Sequence, residues 1–471
     1  MIKNIFVLLL ISAHLNLHSQ EKIITFKNDL KTSSSFIKDV IPVVNKETGE
    51  IAFFVADAKN IYGYKINADF KITEKISSQT KSRKYKILIG SSVSEDNSYS
   101  VFLTNKKQDK FSSVKFSFND GKTTMNEFLL GKNEKFIQTV TSKNKFYLIS
   151  GSKVRNQLFI YSFDKNGKPK RNYIDISNLR FISSKGSKTN LLSFLIKDNN
   201  IKKFEENTPN SIELTSEERK MYVRDNSILI TLDHHKMFTQ VLEIDINTFI
   251  ANTFHFKKPS LGEKSRRTNS YLNGENLFTI AVTKEKFTIE ILDFKTGNLI
   301  KEYSTNKNDP ITFKNTAIIQ EGGMYDSYRE LGKTKRFLRR IGKGNTGISA
   351  RKINNQFHLI IGGYIVQNSN AGMMMPFGGV SIGSIGTATI FFNPTQIAFN
   401  SFTNNKTTRI ESLFDANFNH IEGEIKENAF DKMQEYNSNN KGSTVFKYKD
   451  YYIKTTFNTL LKYFTFRKFT D

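Results

Sequence analysis

Residues Asn276–Ser304 read NLFTIAVTKEKFTIEILDFKTGNLIKEYS. An apolar strand is followed by a short polar turn, an alternating strand, an Asp-x-x-Thr-Gly turn at Asp293–Gly297, and a second alternating strand. A run that is apolar almost throughout suits a strand covered on both faces, whereas period-two alternation suits a strand with one face buried. Versions of this unit start near Glu50, Lys86, Lys145 and Ser227, and QFHLIIGGYIV at Gln356 opens a further copy. A recurring three-strand meander, at the spacing of about 40–50 residues typical of propeller repeats, predicts an all-β chain. The expected fold is a β-propeller of four-stranded blades, seven in number, with six and eight the neighbouring counts.

The turns support this reading. Asp293–Gly297, Asp164–Gly167 and the Gly-free Asp245–Thr248 each place an Asx residue at the start of a hairpin, where its side chain can bond backbone two residues on. Two gaps are wide enough for a weaker blade, and LLSFLIKDNNIKKF from Leu191 is the candidate for one of them. The strand-like C-terminal stretch from Ser443 is expected to pair with an N-terminal strand and close the ring, because an open ring leaves strand edges bare. Short helices are expected only at Ser216–Val223 (SEERKMYV) and Glu427–Tyr436 (ENAFDKMQEY), the second capped by Asn428.

The turn in LDFKTGNLIKEYS resembles the repeat of quinoprotein-like bacterial β-propellers. That resemblance covers isolated blades and implies fold only. Quinoprotein repeats place a Trp in the last strand of the blade. Here Ile300 and Tyr303 occupy that zone and the chain has no Trp, so catalysis by a bound quinone is not carried over.

The N-terminus sets the expected compartment. Lys3 precedes an apolar run from Ile5 to Ala13, and a short polar region ends at Ser19-Gln20, the three-part layout of a secretory signal peptide. Residues 1–20 are therefore read as a leader, and 21–471 as one propeller domain with insertions at about 320–346 and 364–388. Cysteine is absent, which excludes disulfides, catalytic thiols and attachment of a lipid to an N-terminal Cys. The expected location is the periplasm or the outer membrane's surface, not as a lipoprotein. The chain carries 70 Lys+Arg against 45 Asp+Glu, a net charge of +25. Such an excess attracts phosphates, acidic glycans or anionic membrane faces. No nucleic-acid motif accompanies it, so nucleic acid is not an expected partner.

Function is sought where the repeat is broken. GKTKRFLRRIGKG, Gly332–Gly344, gathers Lys333, Lys335, Arg336, Arg339, Arg340 and Lys343 just after Tyr325, Tyr328 and Arg329, and Arg266 and Arg267 form a second small basic cluster. Guanidinium groups there can fork onto phosphate, sulfate or uronate oxygens. Gly362–Pro394 is a glycine-rich stretch carrying Met373, Met374, Met375 and Phe377, soft apolar groups suited to docking on a partner or a membrane surface. Within it Gly379–Gly383 matches G-x-S-x-G, but no helix follows, as a nucleophile elbow requires. His234 and His235 are adjacent and would face opposite sides of a strand, a poor metal site. No catalytic residue, cofactor or metal is assigned. The chain reads as an exported, monomeric binding or scaffolding protein of the envelope, engaging a protein partner or an anionic glycan through loops on one face. The alternative is a propeller enzyme acting on polysaccharide or peptide in its central funnel. The third reading is an outer-membrane β-barrel.

Overall fold

The computed structural model describes residues 20–31, 36–78, 84–85, 87–196, 201–262, 267–321, 328–365, 393–403, 407–436 and 442–471. Its strands form seven sheets of four or five strands and one two-stranded ribbon. Each large sheet is a blade, and the fold is a β-propeller of four-stranded blades. The Met-rich segment Met373–Phe377, the Gly379–Gly383 match and Arg266 lie outside the described residues. No helix among the described residues is long and apolar enough to cross a membrane.

The chain divides into two compact units, one from described residues within 1–83, 116–123 and 427–471, the other within 84–115 and 124–426. In the first unit, Gln20–Lys27 pairs antiparallel with Tyr463–Phe469 and so supplies the fourth strand of a sheet whose other three come from the end of the chain. This is the pairing anticipated for the stretch from Ser443. Its neighbour is the sheet Asp39–Val44, Ile51–Ala56, Ile61–Ile66, Ile72–Ser77. Between them lies an aromatic core in which the Phe53 ring centroid is 5.0 Å from those of both Phe464 and Phe466. Strand Ile51–Ala56 is buried along its whole length. The helix Ala429–Met433 in this unit is shorter than the expected Glu427–Tyr436, and Asn428 does cap it, in a reciprocal box with Asp431.

The second unit repeats the plan. The Asn276–Ser304 unit supplies the second to fourth strands of its blade, Asn276–Val282, Lys286–Asp293 and Leu299–Asn306, and Arg267–Asn273 precedes them as the first. Two expectations fail. Leu191–Phe204 is no blade: Leu191–Ile196 is a helix and Lys202–Phe204 a short strand joined in parallel to the next sheet. Ser216–Val223 is not a helix. The helical turn lies just before it at Ile212–Thr215, and Arg219–Val223 is a strand.

The reason for the second failure is Lys220. Its ammonium is wholly buried and donates to Asp233 Oδ2 at 2.8 Å and Asn269 Oδ1 at 2.6 Å. Lys258, equally buried, reaches the other Asp233 oxygen at 3.0 Å, and Thr239 and Ser270 donate to the same carboxylate. Buried charge is tolerated when every member is paired. Asn269 extends the cluster by donating to the carbonyls of Ser216 and Thr346, which belong to the flanking segments.

The hairpins share one local rule. Asn45, Asn67, Asp164, Asp245, Asp293, Asp415 and Asn458 each accept backbone N–H groups two to four residues ahead. Three or four residues after each, the chain takes positive φ: Gly49, Phe70, Gly167, Phe249, Gly297, Phe418 and Lys462. At Gly297 (φ +74) an added Cβ would find its nearest atom, on Phe256, at an ordinary 3.8 Å, so only backbone strain opposes a side chain there. Gly297→Ala is accordingly expected to cost about 1 kcal/mol in urea unfolding, while Lys462→Gly raises stability. An unchanged midpoint for Gly297→Ala would contradict this account of the turn.

Candidate functional site: a basic cleft beside the inserted helix

The blade that follows the quoted unit is assembled out of order. Its first two strands are Asn345–Ile353 and Gln356–Tyr364, and its third, Thr407–Phe414, comes after the glycine-rich segment. The outer positions are filled by Ile318–Gln320 and Arg329–Leu331, which precede all three in the chain. The chain must then return from the sheet's edge to its first strand, and it does so through the helix Thr334–Ile341. Most of the basic insertion is thus a helix.

This helix is held by one face. Phe337, Leu338 and Ile341 are buried, and Phe337 packs edge-on against Phe287 of the preceding blade at 5.6 Å between centroids. Gly363 admits the helix: a Cβ there would lie 2.7 Å from Ile341 Cα. Thr334 Oγ1 donates to the Asp309 carbonyl at 2.6 Å and fixes the start. The opposite face carries Lys335, Arg336, Arg339 and Arg340.

Those four side chains line one wall of a cleft of about 700 Å³, together with Lys333 and Leu338. Lys284 and Glu285, from the turn between Asn276–Val282 and Lys286–Asp293, and Lys307, after Leu299–Asn306, come from the preceding blade. Gln320, Arg329 and Leu331 complete it from the two short strands. On Arg329–Leu331 the period of two points Arg329 and Leu331 into the cleft, while Glu330 accepts the Tyr328 hydroxyl at 2.9 Å. Among the described residues the lining therefore holds eight cations (Lys284, Lys307, Arg329, Lys333, Lys335, Arg336, Arg339, Arg340) and one carboxylate, Glu285, which is ion-paired to Lys307. None of the helix's five basic side chains, Lys333 included, pairs with a carboxylate among the described residues.

The sequence marked the helix cations together with Lys333 and Arg329, but not Lys284 and Lys307. Arg267 lies elsewhere: its Nε donates to the Gly344 carbonyl at 2.8 Å, so it braces the end of the basic segment and does not line the cleft. His234 and His235 sit in a loop beyond Ser227–Leu232. There His234 stacks on Phe194 and its Nε2 meets the Ile182 carbonyl at 2.7 Å. No group of three or more His, Asp or Glu among the described residues is placed to hold a metal ion. Lys203, pushed down to about 7 by burial, hydrogen-bonds Thr139 inside the packed core and faces no cleft.

A polar ladder holds the wall formed by the short strands. Arg351 Nε donates to His358 Nδ1 at 3.3 Å, and His358 Nε2 donates to Glu411 Oε2 at 2.8 Å. Arg409 then bridges Glu411 (3.1 Å) and Glu321 (2.6 Å), immediately after Gln320. Burial pushes the Glu411 carboxyl up, but the His358 hydrogen bond and the Arg409 guanidinium outweigh it and hold it at about 2.

No protein-family model matches the chain, and no curated protein matches it in sequence. Among solved structures, a variant of the Synechocystis apocarotenoid oxygenase aligns over 60% of this chain and 65% of that one, at 8% identity and a TM-score of 0.30. This chain thus covers less than two thirds of that protein's length. The Dos1 propeller aligns over 74% of this chain and 84% of that one, at 12% identity and a TM-score of 0.28. The dihydro-heme d1 dehydrogenase NirN aligns over 57% and 50%, at 10% identity and a TM-score of 0.26. Likeness of this degree carries nothing about activity.

The ladder gives a pH dependence with a definite sign. A carboxyl lowered from 4.5 to about 2 contributes stability that is fully present above pH 4.5 and is lost as the pH falls toward 2. Glu411→Gln should cost about 3 kcal/mol at neutral pH and flatten the acid limb of a plot of melting temperature against pH. An acid limb as steep as the wild type's would remove Glu411 as its source.

Proposed function

We propose that this chain is an exported binding protein of the cell envelope, and that it captures an anionic group of its partner in the basic cleft. The export step rests on the leader-like residues 1–20. The observation that carries the binding step is the charge of the described lining, eight cations against one carboxylate that pairs with a single one of them, Lys307. Lys333 and Lys335 lie at the N-terminal end of the helix, where the first turn holds no acid and the macrodipole favours negative charge. The side chains come from two adjacent blades, so the site is a property of the folded chain and not of one flexible loop. Arginine forks suit carboxylate, sulfate or phosphate oxygens, and each charge-assisted contact is worth about 1.5–3 kcal/mol.

Binding of this kind weakens with salt. Titration calorimetry with an anionic envelope extract fraction, or with inorganic sulfate as the simplest probe, should give affinities that fall steeply as ionic strength rises. Arg336→Ala/Arg340→Ala is expected to reduce affinity about ten- to hundredfold with a melting temperature no lower than the wild type's, since both side chains point away from the core and form a like-charged pair four residues apart. Equal affinity for wild type and variant would rule out this cleft as the site.

A further inference from the structure

We propose, resting on the reading of the cleft as an anion site, that its ligand is a linear acidic glycan lying along the helix Thr334–Ile341, with carboxylate or sulfate groups on successive sugars. The basic residues of the helix fall into two rows. Lys335 and Arg339 are four apart, and so are Arg336 and Arg340. Residues four apart stand one above the other on a helix, separated by about one turn, ~5–6 Å. An extended chain of pyranose units advances by a similar length per sugar, so one charged sugar can meet each step of a row. Like charges at this spacing weaken a helix, and no acid on the helix offsets them. The arrangement is explained by a ligand that presents anions at the same interval.

The rest of the lining fits the same occupant. Lys284 and Lys307 stand on the wall from the neighbouring blade, so the cations are spread along both sides and not gathered around one point. A compact phosphate or sulfate would use only part of such a site. Gln320, with both a donor and an acceptor, and Glu285, an acceptor, can serve sugar hydroxyls between the charges. Among the described residues no aromatic ring lines the cleft, whereas single-stranded nucleic acid is held by stacking its bases on aromatic side chains. The charge alone would suit either polymer, and the described lining, which offers no stacking surface, favours the glycan.

The test is a length series on the full chain. Galacturonic acid and its di-, tetra- and hexamers form one arm, sulfated disaccharide-repeat oligomers of matched length the other, with inorganic sulfate and a short single-stranded DNA as comparators. Affinity should rise at least tenfold from monomer to tetramer and then level off in one of the two arms, which identifies the charged group. The salt dependence should steepen with length as more ions are displaced. Lys335→Ala/Arg339→Ala and Arg336→Ala/Arg340→Ala should each remove most of that gain, so that monomer and tetramer bind each variant with similar affinity. If sulfate or the monomer binds as tightly as the tetramer, the cleft remains an anion site and the extended glycan is wrong. If DNA of equal charge binds as well as the glycan, the proposal is overturned in favour of charge-only recognition. If no anion binds, the reading of the cleft falls together with it.

Discussion

Both faces of the second strand in a blade are apolar, and an isolated four-stranded sheet can cover neither. Ile51–Ala56 and Leu277–Val282 have no exposed position, so each such strand is stable only with a sheet on either side. That requirement governs the rest of the molecule. It places phenylalanines where blades meet, as with Phe53 against Phe464 and Phe466 or Phe102 stacked on Phe146 at 4.0 Å. It leaves fourth strands such as Leu299–Asn306 with alternate exposed positions, and it confines freedom of sequence to turns and insertions.

The same packing forces some polar groups inside, and there the sequence misleads. Glu217-Glu218-Arg219-Lys220 has the composition of a solvated helix, yet Lys220 is buried against Asp233. The partners that make this tolerable, Asp233, Lys258 and Asn269, lie 13 to 49 residues away. Nothing local to Lys220 announces them. The Leu191 segment failed for the opposite reason. Its apolar run suits a buried strand and a buried helical turn equally, and periodicity alone does not separate the two. The hairpins were legible because their determinant is local: an Asx side chain bonding its own downstream backbone, followed by a residue at positive φ.

The candidate site was half legible. Lys335, Arg336, Arg339 and Arg340 are conspicuous as a run, and Phe337, Leu338 and Ile341 interrupt it at helical spacing, which is the signal by which the helix could have been read. Lys284 and Lys307 occupy unremarkable positions in or beside hairpins. They join the cleft because two blades are adjacent and because one blade draws its outer strands from residues ahead of its first. No window of sequence contains that topology. The Arg351–His358–Glu411–Arg409–Glu321 ladder is invisible for the same reason, since its members sit on three strands and at the end of a fourth.

A single eight-residue helix is too short to be stable by itself in water, and one with five flanking cations and no acid is less so. It persists because Phe337, Leu338 and Ile341 are anchored between two blades and because Gly363 leaves room for Ile341. The scaffold thus holds in place a charge arrangement that local interactions oppose. An anion entering the cleft removes that repulsion as it forms its own contacts, so part of its binding free energy comes from relief of the empty site. Stability and affinity are then linked: whatever neutralises the basic face binds the folded chain in preference to the unfolded one and must raise its melting temperature.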